Sequence, residues 1–364
     1  MLKFKESNLS NAFLPEIFNI NISSDFQRVQ NLIDEQAELL VLDEIHSQMR
    51  ELIKIRNPQK ALTEEEYVQQ IETLLNGKPS HYYGSWVYYP WNKKLVHLLS
   101  KDEFVELRTS RNLYKITPEE RSTLLQKKIA IIGLSVGQMI ALTIAMERTC
   151  DEIRLADFDL IELSNMNRIR TSVTNIGVSK AVVAAREIAE LDPYIHVKLF
   201  LDGITDENID DFLVKDGKVD LLIEECDGLD VKILSRIKAR EYGIPVVMET
   251  NDRGMIDIER FDLEPKRALL HGLIPENMEN LSALRNLNNQ EKVPLLGAMV
   301  GIEHISDRMK MSLAEMGKTI STWPQLASSV VLGGAMVTDV SRRILLKQTT
   351  LSGRYYVDFN ELIN

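Results

Sequence analysis

Cysteine is scarce in this sequence, since Cys150 and Cys226 are the only two among 364 residues. Two thiols are too few for a four-thiolate zinc site or a disulfide framework, although one disulfide remains arithmetically possible. Long apolar runs are also lacking: no segment reaches the ~20 apolar residues of a membrane span, and the amino terminus has no apolar signal-peptide core. We therefore expect a cytoplasmic protein in a reducing compartment, with no membrane partner.

A basic excess is also missing. The chain has 43 Lys and Arg and 54 Asp and Glu, which gives a formal net charge of -11. This charge disfavours sequence-independent binding of nucleic acid as its main role. With 17 Gly and 11 Pro, it is too poor in both residues to be fibrous or of low complexity. Its 44% hydrophobic and 27% charged residues are typical of a globular protein with one large domain or two ordinary ones.

Two patterns divide the chain. Residues 24–75 place apolar side chains at helical spacing, and residues 81–91 (HYYGSWVYYPW) are dense in β-forming aromatics. We interpret the aromatic cluster as a strand or hairpin in a core rather than a stacking platform for bases or sugars, because basic residues are not interleaved with the rings. From residue 127 onward, short apolar runs alternate with helical stretches. The sequence thus predicts a helical and aromatic amino-terminal region, residues 1–105, and an α/β domain, residues 106–364.

The alternation after residue 127 is typical of a parallel sheet that is buried on both faces. The predicted strands are Ile129–Ile132, Ile153–Ala156, His196–Leu201, Leu221–Ile223 and Pro245–Met248. The predicted helices are Gln138–Arg148, Lys180–Leu191, Asn208–Val214 and Val231–Tyr242. This order predicts a Rossmann-like, doubly wound and mainly parallel sheet.

A glycine turn follows the first predicted strand. Gly133-Leu134-Ser135-Val136-Gly137 separates that strand from a helix start. In a nucleotide-binding unit, such glycines let the backbone approach phosphates at the positive end of the helix. The same string matches the Gly-x-Ser-x-Gly elbow of an α/β-hydrolase, in which Ser135 would be the nucleophile. In a third interpretation, the glycines only let a helix pack closely on a strand.

An acidic residue at the end of the second strand favours a nucleotide. Asp157 lies about 20 residues beyond Gly137, a separation at which a carboxylate can take the ribose hydroxyls. A serine hydrolase would need an acid and then a histidine downstream, and His196, His271 and His304 stand in undistinguished surroundings. The turn alone is weak evidence for a dinucleotide site, because it lacks the middle glycine of Gly-x-Gly-x-x-Gly.

The segment after the second strand is more specific than the turn. Residues 157–168 (DFDLIELSNMNR) resemble the nucleotide-site motif of the ThiF-type adenylyltransferases in the ubiquitin-activating enzyme superfamily. Four further strings resemble family motifs in the family's order: RTSRN at 108–112, IGVSK at 176–180, ECD at 225–227 and IPVV at 244–247. The resemblance covers roughly residues 108–263, with weaker similarity from 323 to 343.

The resemblance implies a site in which ATP and Mg²⁺ meet a carboxylate substrate. Arg111, Arg168 and Lys180 would supply positive charge around the triphosphate, and Asp227 would bind Mg²⁺. In the family, the residue that matches Arg111 can reach the partner subunit's site, which implies a homodimer. Arg108 lies in the same motif and is a second candidate cation. The remaining nucleotide-site residues are the turn residues Gly133, Ser135 and Gly137, the ribose anchor Asp157, and the supporting residues Asp159 and Asn165.

Departures from the family pattern limit the implied chemistry. Ser135 replaces a glycine in a loop shorter than usual, which weakens the expected contact with the α-phosphate. No cysteine follows Cys226, whereas relatives that form a thioester carry one downstream and many have paired zinc cysteines. We therefore expect no thioester on this chain and no zinc, with Cys226 a buried small residue rather than a nucleophile.

Two further expectations concern the rest of the chain. Residues 252–261 follow the fifth predicted strand and are expected to line the substrate side, where their charges would orient a carboxylate or an amine. Similar sequences can be fused to a flavin nitroreductase-like domain, so the chain could be part of a longer protein of that kind.

The resulting function hypothesis is an ATP- and Mg²⁺-dependent adenylyltransferase that converts a carboxylate to acyl-AMP and releases pyrophosphate. Its substrate would be the carboxyl terminus of a peptide or small ubiquitin-like protein, or a small carboxylate. Three alternatives stay open. They are a nucleotide-binding regulatory or scaffold module without turnover, an NAD-dependent oxidoreductase, and a serine hydrolase that uses Ser135.

Overall fold

The computed structural model describes residues 12–275, 280–287 and 289–363. The chain divides into two compact units, one comprising Met1–Glu119 with Ala189–Tyr194 and the other Glu120–Ile188 with Ile195–Asn364. The predicted domain boundary after residue 105 stays a prediction. Across the described residues, no helix is both long enough and apolar enough to cross a membrane.

The first unit is built on a four-stranded sheet in the order β1-β3-β4-β2. Strands β2 and β4 are parallel, and the other neighbours are antiparallel. The predicted aromatic strand is confirmed as β3, in which Trp86 is buried and stacks on His97 with ring centroids 4.2 Å apart. The elements are β1 (Glu16–Phe18), α1 (Ser23–Glu35), β2 (Leu40–Asp43), α2 (Ile45–Arg56), α3 (Glu64–Leu75), β3 (Ser85–Tyr89), β4 (Lys94–Leu98), α4 (Lys101–Arg108) and α5 (Pro118–Leu124), the last at the division between the units.

The second unit contains a seven-stranded sheet in the order β11-β10-β9-β8-β5-β6-β7. The five strands from β9 to β7 run parallel, and β10 and β11 are antiparallel additions at one edge. Its strands are β5 (Lys128–Ile132), β6 (Glu152–Ala156), β7 (His196–Phe200), β8 (Leu221–Glu224), β9 (Val246–Thr250), β10 (Met255–Glu259) and β11 (Gly353–Tyr356). Its helices are α6 (Gly137–Glu147), α7 (Lys180–Leu191), α8 (Ile209–Val214), α9 (Leu229–Tyr242), α10 (Leu281–Arg285), α11 (Asn289–Val300), α12 (Asp307–Glu315), α13 (Ala327–Leu345) and α14 (Phe359–Leu362), with α7 ending across the division.

This sheet confirms the predicted Rossmann-like fold. The five predicted strands are β5–β9 and the four predicted helices are α6–α9, with small shifts at their ends. Strands β5, β6, β8 and β9 are largely buried, which is why they read as mostly apolar runs, whereas the edge strand β7 is partly exposed and includes His196 and Lys198. Consecutive parallel strands leave their carboxyl ends at one edge of the sheet, where a ligand site is expected.

The expectation that residues 252–261 line the substrate side stays a prediction, and the buried strand within this segment narrows it. Asp252 does line a cavity, but the segment continues into β10, a strand that is buried along its whole length. Asp257 accepts a hydrogen bond from Nε of Arg354 at 2.6 Å, and Glu259 accepts one from Nε of Arg236 at 2.6 Å. These carboxylates therefore form ion pairs inside the fold, and they do not face a substrate.

Candidate active site

The glycine turn lies against the end of β8. Gly133 has a φ of +84°, and a Cβ at this position would lie 2.7 Å from the carbonyl carbon of Glu225 and 2.8 Å from the amide nitrogen of Cys226. At Gly137, a Cβ would come within 2.9 Å of Cγ2 of Ile131 on β5. Close packing accounts for both glycines, and the backbone conformation is a second reason for Gly133. The turn leads directly into α6, whose N-terminus has no side-chain cap.

Asp157 joins the turn to the segment that follows β6. Its Oδ2 accepts a hydrogen bond from the Leu134 amide at 2.6 Å, and its Oδ1 accepts one from the Asp159 amide at 2.8 Å. Burial raises the pKa of Asp157, while these two backbone donors act in the opposite direction. A carboxylate offers about four lone-pair sites, so two remain for a ribose. The ribose contact itself stays a prediction.

Arg168 binds the turn from the other side. Its Nε donates to Oγ of Ser135 at 3.0 Å, and its Nη1 donates to Oδ1 of Asn167 at 2.9 Å. Burial lowers the pKa of Arg168, and the carboxylate charge of Asp227 opposes that shift, which places Asp227 close enough to interact with the guanidinium. Since a guanidinium cannot take a proton from a hydroxyl, this partner argues against Ser135 as a hydrolase nucleophile.

Two supporting residues hold the motif in shape. Asn165 is buried, and its Oδ1 accepts a hydrogen bond from the Glu162 amide at 3.0 Å at the start of a short 3₁₀ turn, Leu163–Asn167. Lys180 is also buried, and its Nζ lies 2.7 Å from Oδ2 of the half-exposed Asp159. Hydrogen bonds thus connect Lys180, Asp159 and Asp157 to the turn.

The cysteine and the acid after β8 differ in their surroundings. Cys226 is partly buried, and burial raises the pKa of its thiol, which keeps it protonated and weakly nucleophilic. Its neighbour Asp227 is exposed and lines a cavity of about 120 Å³. The prediction that Cys226 is a small packing residue fits this environment.

Arg111 lies in the other unit. It is exposed in a short 3₁₀ turn, Ser110–Asn112, which belongs to the first unit, whereas the glycine turn belongs to the second. The neighbouring Arg108 pairs with Asp192 at 3.0 Å. A role for Arg111 at the nucleotide stays a prediction. The other predicted site residues all belong to the second unit.

The cavity beside Asp227 also contains residues that sequence reasoning missed. Glu225, Lys232, Glu249 and Asn251 line it together with Asp227. A weak signal existed for Glu249, because it interrupts the apolar run of β9, where a charged side chain is unusual. No local signal marks Lys232, which reaches the cavity from α9.

A family comparison decides the identity of this arrangement. The model of the ThiF family matches residues 108–358. The chain belongs to the ThiF family. The match covers the glycine turn, the motif around Arg168 and the cavity beside Asp227, so the whole candidate site lies within the part that the family shares.

Individual relatives support the same assignment. The uncharacterized protein MT1398 of Mycobacterium tuberculosis (strain CDC 1551 / Oshkosh) is 43% identical over 279 residues, which are 77% of this chain and 38% of that protein. The ubiquitin-like modifier-activating enzyme 5 of Caenorhabditis elegans is 24% identical over 186 residues, which are 47% of this chain and 43% of the enzyme. The chain thus spans about two fifths of the length of these relatives.

A solved structure shows the same fold. The crystal structure of selenomethionine PaaA superposes with a TM-score of 0.51 over 72% of this ThiF-family chain and 82% of PaaA, at 22% sequence identity. At this low sequence identity, the comparison shows a shared fold and does not show a shared function.

Proposed function

We propose that the second unit adenylates a carboxylate at the expense of ATP and releases pyrophosphate. The observation that carries this proposal is the position of Arg168. Its guanidinium donates a hydrogen bond to Ser135 in the turn, and the charge of Asp227 acts on it. Attack of a carboxylate on the α-phosphate of ATP gathers negative charge on the phosphates, and a guanidinium is well suited to stabilise that charge. Adenylyltransferases of the ThiF family bind ATP, which supports the same assignment.

The turn and its neighbours fit a nucleotide triphosphate. The uncapped N-terminus of α6 leaves backbone N–H groups that can donate to phosphate oxygens, and the helix dipole favours negative charge there. Lys180 and Arg168 would add two positive charges, and Asp157 would bind the ribose. In this proposal the protein supplies positions and charge, while the substrate carboxylate itself is the nucleophile.

Asp227 would hold Mg²⁺ together with the phosphates. Within the described ranges, no group of three or more His, Cys, Asp or Glu side chains could form a metal site of its own. Mg²⁺ is commonly bound by one or two carboxylates plus substrate phosphates, so a single exposed carboxylate at this position fits that mode. When bound, the ion would neutralise charge on the leaving pyrophosphate.

The remaining expectations form part of the same proposal. The substrate is the carboxyl terminus of a peptide or small ubiquitin-like protein, or a small carboxylate, and the activated product leaves without a thioester to this chain. The raised pKa of the Cys226 thiol supports the last point. Residues 1–105 would form a separate amino-terminal region, and a homodimer would bring Arg111 of one subunit to the site of the other.

Nucleotide binding by the Arg168→Ala variant tests the proposal. We expect MgATP affinity, measured by calorimetry, to fall about 10- to 100-fold, because a charge-assisted contact to phosphate is lost. The matched control is Arg343→Ala, since Arg343 is half-exposed near the end of α13 and pairs with Asp339. Unchanged MgATP affinity in Arg168→Ala would contradict the role of Arg168. MgATP binding without AMP formation on any carboxylate of a broad panel would favour the regulatory or scaffold alternative.

A further inference from the structure

The cavity beside Asp227 contains acceptor oxygens that lack donors. Both carboxylate oxygens of Glu249 and Oδ1 of Asn251 are buried, and no described residue donates a hydrogen bond to them. Glu249 is only 5% exposed, yet it lines the cavity. Buried acceptors normally have partners, so three unpaired oxygens at one cavity point to a ligand that donates hydrogen bonds.

The charges around the cavity are also out of balance. Lys232 contacts both oxygens of Glu224 at 3.0 Å, and Arg236 pairs with Glu224 at 2.5 Å and with Glu259 at 2.6 Å. These two cations and two carboxylates neutralise one another. Among the described residues, no cation forms an ion pair with the neighbouring carboxylates Glu225 and Glu249, although the charge of Lys232 also acts on Glu225.

Glu225 and Glu249 are held close together. Oε1 of Glu225 accepts a hydrogen bond from the backbone amide of Glu249 at 2.9 Å. Burial raises the pKa of the Glu249 carboxyl group to about 8. A positive group in the cavity would relieve this unfavourable arrangement.

The rest of the cavity wall is apolar. Asp252 also lines the cavity, but its two oxygens are satisfied by the backbone amide of Ser306 at 2.6 Å and by the Ser306 hydroxyl at 2.7 Å. Six of the apolar wall residues come from the segment that carries α11 and α12, and they are Leu296, Met299, Val300, Ile305, Met309 and Leu313. A ligand for this cavity therefore combines an apolar chain with a positively charged donor.

We propose that the cavity binds a primary ammonium group carried on an apolar chain, with Glu249 and Asn251 as hydrogen-bond acceptors. An alkylammonium ion matches the site because it has one positive charge and three N–H donors. Because Asp227 lines the same cavity, the substrate would be a carboxylate that also carries an amine, and this second statement rests on the proposed adenylation. Its amine would lie in the cavity while its carboxylate faces the nucleotide.

Calorimetric titration with hexylammonium, in the absence of ATP, tests the site. We expect hexylammonium to bind at least about tenfold more tightly than 1-hexanol, because a hydrogen bond from a charged donor to a carboxylate is stronger than one from a neutral hydroxyl. Ethylammonium should bind about tenfold more weakly than hexylammonium, because it leaves the apolar wall uncovered. Equal affinity for hexylammonium and 1-hexanol, or tight binding of hexanoate, would overturn the proposal.

A pair of isosteric variants links the affinity to one carboxylate. Glu249→Gln should lose the preference for hexylammonium over 1-hexanol, whereas Glu207→Gln, which removes an exposed charge of the same unit, should keep it. Titration with MgCl₂ alone provides the competing outcome, since release of hexylammonium by Mg²⁺ from the unaltered chain and from Glu207→Gln would assign the carboxylate to a metal. If Glu249→Gln fails to fold, the probe series on the unaltered chain still decides.

The two proposals can fail separately. With ATP and Mg²⁺ present, 6-aminohexanoate should yield at least about tenfold more AMP than hexanoate, for the same electrostatic reason. Hexylammonium binding without MgATP binding would refute adenylation and keep the ammonium site. MgATP binding with no discrimination between the amine and its alcohol would refute the ammonium site and keep the nucleotide site.

Discussion

Glu224 and Glu225 are consecutive residues at the end of β8, but their surroundings are opposite. Glu224 is fully buried, and although burial opposes its ionisation, the charges of Lys232 and Arg236 lower its pKa. Glu225 forms no ion pair within the described residues, and burial together with the charge of Glu249 raises its pKa in spite of the opposing charge of Lys232. Successive side chains of a strand point to opposite faces, so one carboxylate meets α9 and the other meets the cavity. The first is a neutralised part of the fold, and the second lies beside Glu249 in a pair whose ionised form a positively charged ligand would stabilise.

Replacing Arg236 should have the largest effect, because it removes the cation that two buried carboxylates share. We expect Arg236→Met to lower the free energy of unfolding by about 3–5 kcal/mol in urea titrations, since Glu224 and Glu259 would be left partly uncompensated. The control Arg343→Met removes a half-exposed arginine and should change stability by no more than about 0.5 kcal/mol. A loss of less than ~1 kcal/mol for Arg236→Met would show that the two carboxylates do not depend on this cation.

The fold around this pair could be predicted from the sequence only in part. Strands β5, β6, β8 and β9 were predictable because a parallel strand that is buried on both faces is mostly apolar, and the edge strand β7 was predictable because apolar residues still predominate in it. Strand β10 was not, because Asp257 and Glu259 interrupt its pattern. These charges are neutralised by Arg354 and Arg236, which are distant in sequence. Local periodicity cannot reveal a partner that only tertiary structure supplies.

The candidate site shows the same limit. Asp157, Asp159, Asn165 and Arg168 lie in one segment, so a motif could identify them. Their side chains bind the nearby turn, the backbone of the segment itself or Lys180. Glu249 could be noticed only as a charged residue in an apolar strand. Its significance comes from a cavity wall supplied by α11, α12 and the segment between them, which no short motif contains.

The pH dependence of stability should separate the unpaired carboxylate from the paired one. The pKa of Glu249 is raised from an ordinary 4.5 to about 8, so the folded chain keeps a proton that the unfolded chain releases. Stability from this group is therefore present below about pH 4.5 and is lost as the pH rises through about 8. Glu249→Gln should abolish this loss, and its unfolding free energy relative to the unaltered chain should rise by about 2–4 kcal/mol across that window.

The same pH series on Glu207→Gln provides the reference, because that glutamate is exposed. Its difference from the unaltered chain should be flat between pH 5 and pH 8, to within about 0.5 kcal/mol. A flat difference for Glu249→Gln as well would mean that Glu249 is ionised in the folded chain at neutral pH and that a nearby group already compensates its charge.

Gly333 on α13 should give the smallest effect on stability and the most local one. A Cβ at this position would overlap Oε1 of Glu249 and lie 2.5 Å from its Cδ, so Gly333→Ala has to push the carboxylate aside. Alanine favours a helix over glycine by about 1 kcal/mol, which offsets part of the cost, and we expect the net change in unfolding free energy to stay within ~1 kcal/mol. Hexylammonium affinity should nevertheless fall about threefold, because the displaced carboxylate no longer faces the cavity in the same position.

The exposed Ala335 on the same helix offers the matched control. Ala335→Gly should cost about 1 kcal/mol of stability through helix propensity alone and leave hexylammonium affinity unchanged. If both variants changed the affinity equally, the effect would come from the stability of α13. If Gly333→Ala alone weakened binding, the contact between this glycine and the carboxylate would position Glu249. The ammonium site would then require a residue without a side chain at position 333.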